Sequence, residues 1–193
     1  MVGLVAGYLL HPMVPGRTVP PQPQAPPAPA AMDQITPEQL KHMADKKAEP
    51  LLAQLKDHPK DSALLAQIGA TYLAGHQFQA AKEYFQRSLA IKQDPAVLNQ
   101  SAFVAYSLGD VDGAIVTLNR ALKLEPNNRN ALFYVGMLEW REKSDPKGAV
   151  AAWQRLLKAH PDDPERAQVE QLIARAKMHA DMPPAAKTEK LAR

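Results

Sequence analysis

The chain has 193 residues, 46% of them hydrophobic and 22% charged, with a net charge of +3 and a pI near 9.1, which admits one folded domain with a continuous core. Lys and Arg are interspersed with Asp and Glu, so nothing points to a nucleic-acid partner. Cysteine is absent, which excludes disulfides, thiolate catalysis and Cys-ligated metals, and His11, His42, His58, His76, His160 and His179 include no i, i+4 pair that would place two ligands on one helix face.

Residues 1–11 begin MVGLVAGYLL, apolar throughout, and end at His11. A spanning helix needs about 20 apolar residues, and a secretory leader carries a basic start and a small-residue cleavage site just after its apolar run. Neither pattern is present, so the segment is read as the outer half of a truncated membrane anchor, with a short apolar tail of a soluble protein as the alternative. Residues 12–32 are proline-rich, from Pro12 and Pro15 through Pro20, Pro21, Pro23, Pro26, Pro27 and Pro29, and predict an extended, semi-rigid spacer. Anchor, spacer and then folded module is the order expected of a domain held away from a bilayer.

Residues 33–61 are expected to hold N-terminal helices and a partial repeat. Thr36-Pro37-Glu38-Gln39 offers a capping hydroxyl, a first-turn proline and a Gln at the third helical position, the pattern of a capping box. From Pro50 to Asp61, Leu51, Leu55 and Pro59 align with Leu118, Leu122 and Pro126 further on, as in the second helix of an incomplete repeat.

Three complete copies follow, at 62–94, 95–128 and 129–162. The middle copy is the clearest. Leu98, Ala102, Ala105, Leu108, Gly109, Ala114, Leu118, Ala121, Leu122 and Pro126 stand at its apolar, small and breaking positions. Small residues let the two antiparallel helices of a hairpin approach, larger ones fill the space between hairpins at i, i+3, i+4 spacing, and Gly109 and Pro126 end the two helices. Leu65, Ile68, Gly69, Tyr72, Ala81, Phe85 and Leu89 take these roles in the first copy, and Leu132, Val135, Gly136, Ala149, Trp153, Leu156, Leu157 and Pro161 in the third. The turn from Glu142 to Lys147 is one residue longer than the others, with Pro146 placed to start a helix. Residues 163–180 carry Val169, Leu172, Ile173 and Ala176 on one face, an end helix that would cover the last repeat, and 181–193 reads as a disordered tail.

A helix pair recurring at about 34 residues with these offsets resembles the tetratricopeptide repeat. The resemblance implies an all-α fold: a right-handed superhelix of antiparallel helix hairpins, about three and a half repeats long, closed by a C-terminal capping helix. In such a stack the first helix of each hairpin lines a concave groove. The repeat frame puts Ala63, Ala66, Ala70 and Leu73 there in the first copy, Asn99, Phe103, Tyr106 and Ser107 in the second, and Asn130, Phe133, Met137, Trp140 and Arg141 in the third. Phe103, Tyr106, Phe133, Met137 and Trp140 are expected to grip apolar side chains of a bound peptide, Asn99 and Asn130 to hold its backbone, and Arg141 to pair with a carboxylate. Packing between hairpins is the competing role for Phe133 and Trp140, and a solvated surface role for Arg141.

No nucleophile elbow, phosphate-cradling glycine loop or paired-carboxylate pocket occurs, so the expectation is a non-enzymatic binding scaffold without catalytic residues, metal or cofactor. The run Gly136-Met137-Leu138-Glu139-Trp140, the stretch Ala149 to Leu157 with Trp153, then Pro161-Asp162-Asp163 and Ile173-Ala174-Arg175-Ala176, resembles the periplasmic tetratricopeptide domain of bacterial cytochrome c-type biogenesis proteins over roughly Ala48 to Lys177. That resemblance implies an inner-membrane anchor, a periplasmic repeat domain, and an apocytochrome C-terminus or haem-lyase subunit as partner. A general assembly or structural protein of the bacterial envelope, and a soluble cytoplasmic location, are the alternatives. No CxxCH motif occurs, so the chain is not itself a c-type cytochrome.

Overall fold

The computed structural model describes residues 35–180. The apolar segment, the proline-rich spacer and the C-terminal tail expected from the sequence lie outside the described residues. Within them the chain forms eight helices and no strand: α1 Pro37–Asp57, α2 Ser62–Ala74, α3 Phe78–Ile91, α4 Pro95–Ser107, α5 Val111–Leu124, α6 Arg129–Arg141, α7 Pro146–Ala159 and α8 Arg166–Ala180. Sequential helices pack on one another, so α2/α3, α4/α5 and α6/α7 are three stacked hairpins, with α1 in front and α8 behind. None of these helices is long and apolar enough to cross a membrane.

Six of the eight helices begin at a side-chain cap, and α3 has none. Asp61, Asp94, Asp110, Asn128 and Asp145 accept backbone N–H bonds from the first turns of α2, α4, α5, α6 and α7 and so satisfy donors the helix cannot pair itself. Thr36 and Gln39 close a reciprocal capping box ahead of α1, at 3.2 Å and 2.7 Å. The hairpin turns need one left-handed residue each: Gly109 has φ 83°, and a side chain built there would meet nothing within 4 Å. His76 (φ 55°) and Ser144 (φ 52°) take that conformation in the other two turns.

Inside each hairpin one small residue on the first helix faces one large residue on the second. A Cβ added to Gly69 would lie 2.7 Å from the Phe85 ring, and one added to Gly136 would lie 2.6 Å from Cε2 of Trp153. The middle hairpin has Ala102 and Leu118 at these positions, a larger residue opposite a smaller one. Phe85, Leu118 and Trp153 are all but fully buried, and the core runs unbroken along the stack from Phe85 through Leu98 and Leu118 to Val135.

The N-terminal region differs from the sequence-based expectation. Where the sequence suggests a separate second helix from Pro50, α1 continues for 21 residues straight through it. Pro50 lies on the solvent side, while Ala44, Ala48 and Leu55 are buried on the opposite face. Packing of that face against α2 outweighs a helix-interior penalty of about 3 kcal/mol.

At the other end, Val169, Ile173 and Ala176 of α8 pack against Ala149 and Trp153 of α7. The α7–α8 connection is pinned to the start of α6 by Arg129, whose guanidinium donates to Asp163 at 2.6 and 3.0 Å and to Glu165 at 2.7 Å. Asp163 is buried, and Arg129 holds its carboxyl below the usual carboxylate range.

Candidate functional site

On α4, Asn99, Phe103 and Tyr106 fall at i, i+4, i+7, and on α6, Phe133, Met137 and Arg141 fall at i, i+4, i+8, so each set forms one stripe. Between the stripes is a recess of about 150 Å³, floored by Ala102, Leu118 and Leu138 and walled by Asn99, Phe103, Tyr106, Phe133, Tyr134, Met137 and Arg141. Phe103 is 47% exposed, and its ring is braced edge-on by Phe78 at 6.5 Å.

Two cross-helix hydrogen bonds bracket the recess. At one end Asn99 Nδ2 donates to Asn128 Oδ1 at 2.9 Å, and Asn128 Oδ1 also accepts from Ala131 N at 2.9 Å as the cap of α6. Asn128 Nδ2 donates in turn to Glu125 at 2.6 Å, which fixes the orientation of both carboxamides. Asn99 Oδ1 is thereby left buried with no partner. At the other end the Tyr106 hydroxyl donates to Glu142 at 3.1 Å, and that carboxylate pushes the phenol pKa up.

A second recess, of about 320 Å³, lies on the far side of the same α6 stripe. Phe133, Met137 and Arg141 line it from α6, and Gln168, Gln171, Leu172 and Arg175 line it from α8. The capping helix therefore adds a wall to the groove as well as covering the core. Gln168, Gln171 and Arg175 lie outside the apolar face of Val169, Leu172, Ile173 and Ala176 that marks this helix in the sequence, and their i, i+3, i+7 spacing is the signal that sets them on one stripe.

Of the eight groove residues expected from the sequence, Asn99, Phe103, Tyr106, Phe133, Met137 and Arg141 meet around the first recess. Asn130 and Trp140 do not line it. Asn130 is exposed in the first turn of α6. Trp140 turns into the hairpin and packs edge-on against Trp153, with centroids 5.7 Å apart and planes at 89°, so its role is packing, because Gly136 leaves room for the Trp153 ring beneath it. Phe133 serves both roles: its ring lines the recesses while its carbonyl accepts the Trp153 indole N–H at 3.1 Å. Ser107 donates back to the Phe103 carbonyl at 2.9 Å. No cluster of three or more His, Cys, Asp or Glu arranged to hold a metal occurs among the described residues.

Two segments match family models described as tetratricopeptide repeat, residues 96–128 and 130–163, which coincide with the α4/α5 and α6/α7 hairpins. No curated protein matches the chain. Among solved structures, a tetratricopeptide repeat protein from Parabacteroides merdae superposes with a TM-score of 0.63 at 19% identity, covering 75% of this chain and 59% of that one. MamA superposes with a TM-score of 0.58 at 16% identity, covering 80% and 94%. The first tetratricopeptide domain of Spaghetti, bound to the HSP90 peptide SRMEEVD, gives 0.52 at 17%, covering 58% and 93%. At these identities the likeness establishes the fold, an all-α tetratricopeptide superhelix.

Proposed function

We propose that this array of tetratricopeptide repeats is a non-enzymatic scaffold that holds a peptide segment of a partner protein in the groove formed by α4, α6 and α8. The observation that carries the proposal is the recess of about 150 Å³ between α4 and α6, walled by aromatic and thioether side chains. A cavity of that size accommodates one bulky apolar side chain. The solved relative with an HSP90 peptide in place supports the fold's capacity for this mode of binding.

The partner proposed is an apocytochrome C-terminal segment or a haem-lyase subunit, met in the periplasm during cytochrome c maturation, with residues 1–11 tethering the array to the bacterial inner membrane. The residue pattern from Gly136 to Ala176 supports this finer assignment. Affinity capture from bacterial membranes tests it, using the wild type beside a Tyr106→Ala/Phe133→Ala variant whose helical circular dichroism is unchanged. Recovery of apocytochromes or haem-lyase subunits by the wild type alone is the expected result. Absence of both classes refutes the assignment to cytochrome maturation. Equal capture of a partner by the variant refutes the groove, and favours an envelope assembly protein that works through its convex face.

A further inference from the structure

We propose that the recess between α6 and α8 is an acid-selective subsite, taking the carboxylate of an Asp or Glu side chain from the same peptide whose apolar residue fills the neighbouring recess. The proposal rests on the peptide-binding function above and assigns its ligand class.

The charge pattern of the arginines carries the argument. Arg129 and Arg166 are ion-paired, Arg120 donates to Gln93 at 2.8 Å, Arg155 donates to the Pro126 carbonyl, and Arg87 lies 5.2 Å over the Tyr84 ring. Arg87, Arg141 and Arg175 have no hydrogen-bond or ion-pair partner among the described residues; Arg87 is occupied by the Tyr84 ring, and Arg141 and Arg175 both line this one recess. No carboxylate lines it with them. Of the acids beside the lining residues in sequence, Glu142 accepts from Tyr106, and Glu170 pairs with Arg166 at 2.9 Å. Two unneutralised guanidiniums facing one cavity raise its positive potential and favour an incoming anion. A guanidinium presents paired donors that match a carboxylate. Gln168 and Gln171 add carboxamide donors on the same wall.

Geometry also sets where the acid falls in the peptide. Phe133, Met137 and Arg141 form the ridge shared by the two recesses. Neighbouring helices lie about 8–10 Å apart. An extended chain advances about 3.3 Å per residue, so a peptide crossing the ridge places its acid about three positions from its apolar anchor.

Selection from a random peptide library tests this, with the peptides displayed so that their C-termini are fused and offer no free carboxylate. The wild type and an Arg141→Ala/Arg175→Ala variant of unchanged helicity are selected in parallel. The expected wild-type consensus pairs a bulky apolar residue with Asp or Glu about three positions away, and the variant loses the acid while keeping the apolar residue. In fluorescence anisotropy, replacing the selected acid by its amide should weaken binding to the wild type about tenfold, and leave binding to the variant unchanged. A wild-type consensus with an apolar anchor and no acid overturns the acid subsite while leaving the groove intact. Binding that survives Phe103→Ala, or a selection with no enrichment, overturns the groove and the subsite together. A consensus acid retained by the double-arginine variant also overturns the assignment.

Discussion

The contact between Gly136 and Trp153 makes a quantitative demand on the fold. A methyl added at Gly136 would lie 2.6 and 2.8 Å from Cε2 and Cδ1 of Trp153, well inside the roughly 3.5–4.0 Å of ordinary carbon contact. The indole cannot slide away: it is fully buried, donates to the Phe133 carbonyl at 3.1 Å, and packs against Trp140. For Gly136→Ala, overpacking costs about 1–3 kcal/mol and the strained indole bond about 1 more, while replacing a helical glycine returns about 1. The net loss is about 1–3 kcal/mol. Trp153→Leu leaves a void and costs about 2–3 kcal/mol, short of full truncation because Leu still fills part of the site. The middle hairpin shows that Ala facing Leu is a workable pair, since Ala102 and Leu118 hold these positions and both are buried. Combining Gly136→Ala with Trp153→Leu should therefore cost less than the sum of the two single changes, by about 1 kcal/mol or more. Urea unfolding followed by far-ultraviolet circular dichroism, arranged as a double-mutant cycle, measures the coupling. Additivity within about 0.5 kcal/mol would show that the size match between the two helices does not govern the hairpin, and would refute the reasoning.

Acid should weaken the hold on α8. Arg129 depresses the Asp163 carboxyl below its unfolded value, so the contribution of this pair is complete above the unfolded pKa and is lost as pH falls through the folded one. The gap in urea midpoint between wild type and Asp163→Asn should be constant from neutral pH to about pH 5 and narrow below about pH 4; a gap that stays constant down to about pH 3 would contradict this. Gly109→Ala should cost about 1–2 kcal/mol through its left-handed backbone, although the added methyl meets nothing, and should leave peptide affinity unchanged. An unchanged unfolding midpoint would count against it. Tyr106→Phe should lose the bond to Glu142 but keep the ring in the recess wall, so its peptide affinity should stay within about threefold of wild type, whereas Tyr106→Ala should lose about tenfold. Equal losses in both variants would make the hydroxyl, not the ring, the binding element.

The hairpins were legible because the repeat writes one physical requirement several times. A small residue opposite a large one recurs as Gly69 and Phe85, Ala102 and Leu118, and Gly136 and Trp153, and the extra residue in the third turn appears as Glu142 to Asp145 preceding Pro146. At Pro50 the sequence reads as the start of a second helix, whereas burial of Ala44, Ala48 and Leu55 on one face carries a single α1 through it, with Pro50 on the exposed side. Trp140 misled differently. It stands 34 positions after Tyr106, so repeat register assigns it to the groove, yet Tyr106 has Glu142 to receive its hydroxyl and Trp140 has the edge of Trp153. Register gives the direction of the Cα–Cβ bond, and the neighbours decide where the ring goes. Arg175 was missed because a single end helix has no second copy against which its polar face could be compared.

Placement of α6 ties the buried core to the groove. Its Phe133–Met137–Arg141 stripe borders both recesses, while directly behind it Gly136 admits the Trp153 ring and the Phe133 carbonyl takes the indole N–H. Arg129 at the first turn of the same helix holds the loop that leads into α8, and α8 supplies Arg175 to the second recess. Displacing α6 outward therefore moves one wall of each recess at once, whereas displacing α8 alters only the second. It follows that Gly136→Ala should weaken an apolar-only peptide and an acid-bearing peptide together, while Asp163→Asn should act mainly on the acid-bearing one. Anisotropy titrations of both peptides against both variants distinguish these patterns. Equal sensitivity of the apolar-only peptide to the two variants would mean that α8 supports the first recess as well, contrary to the lining residues of the two cavities.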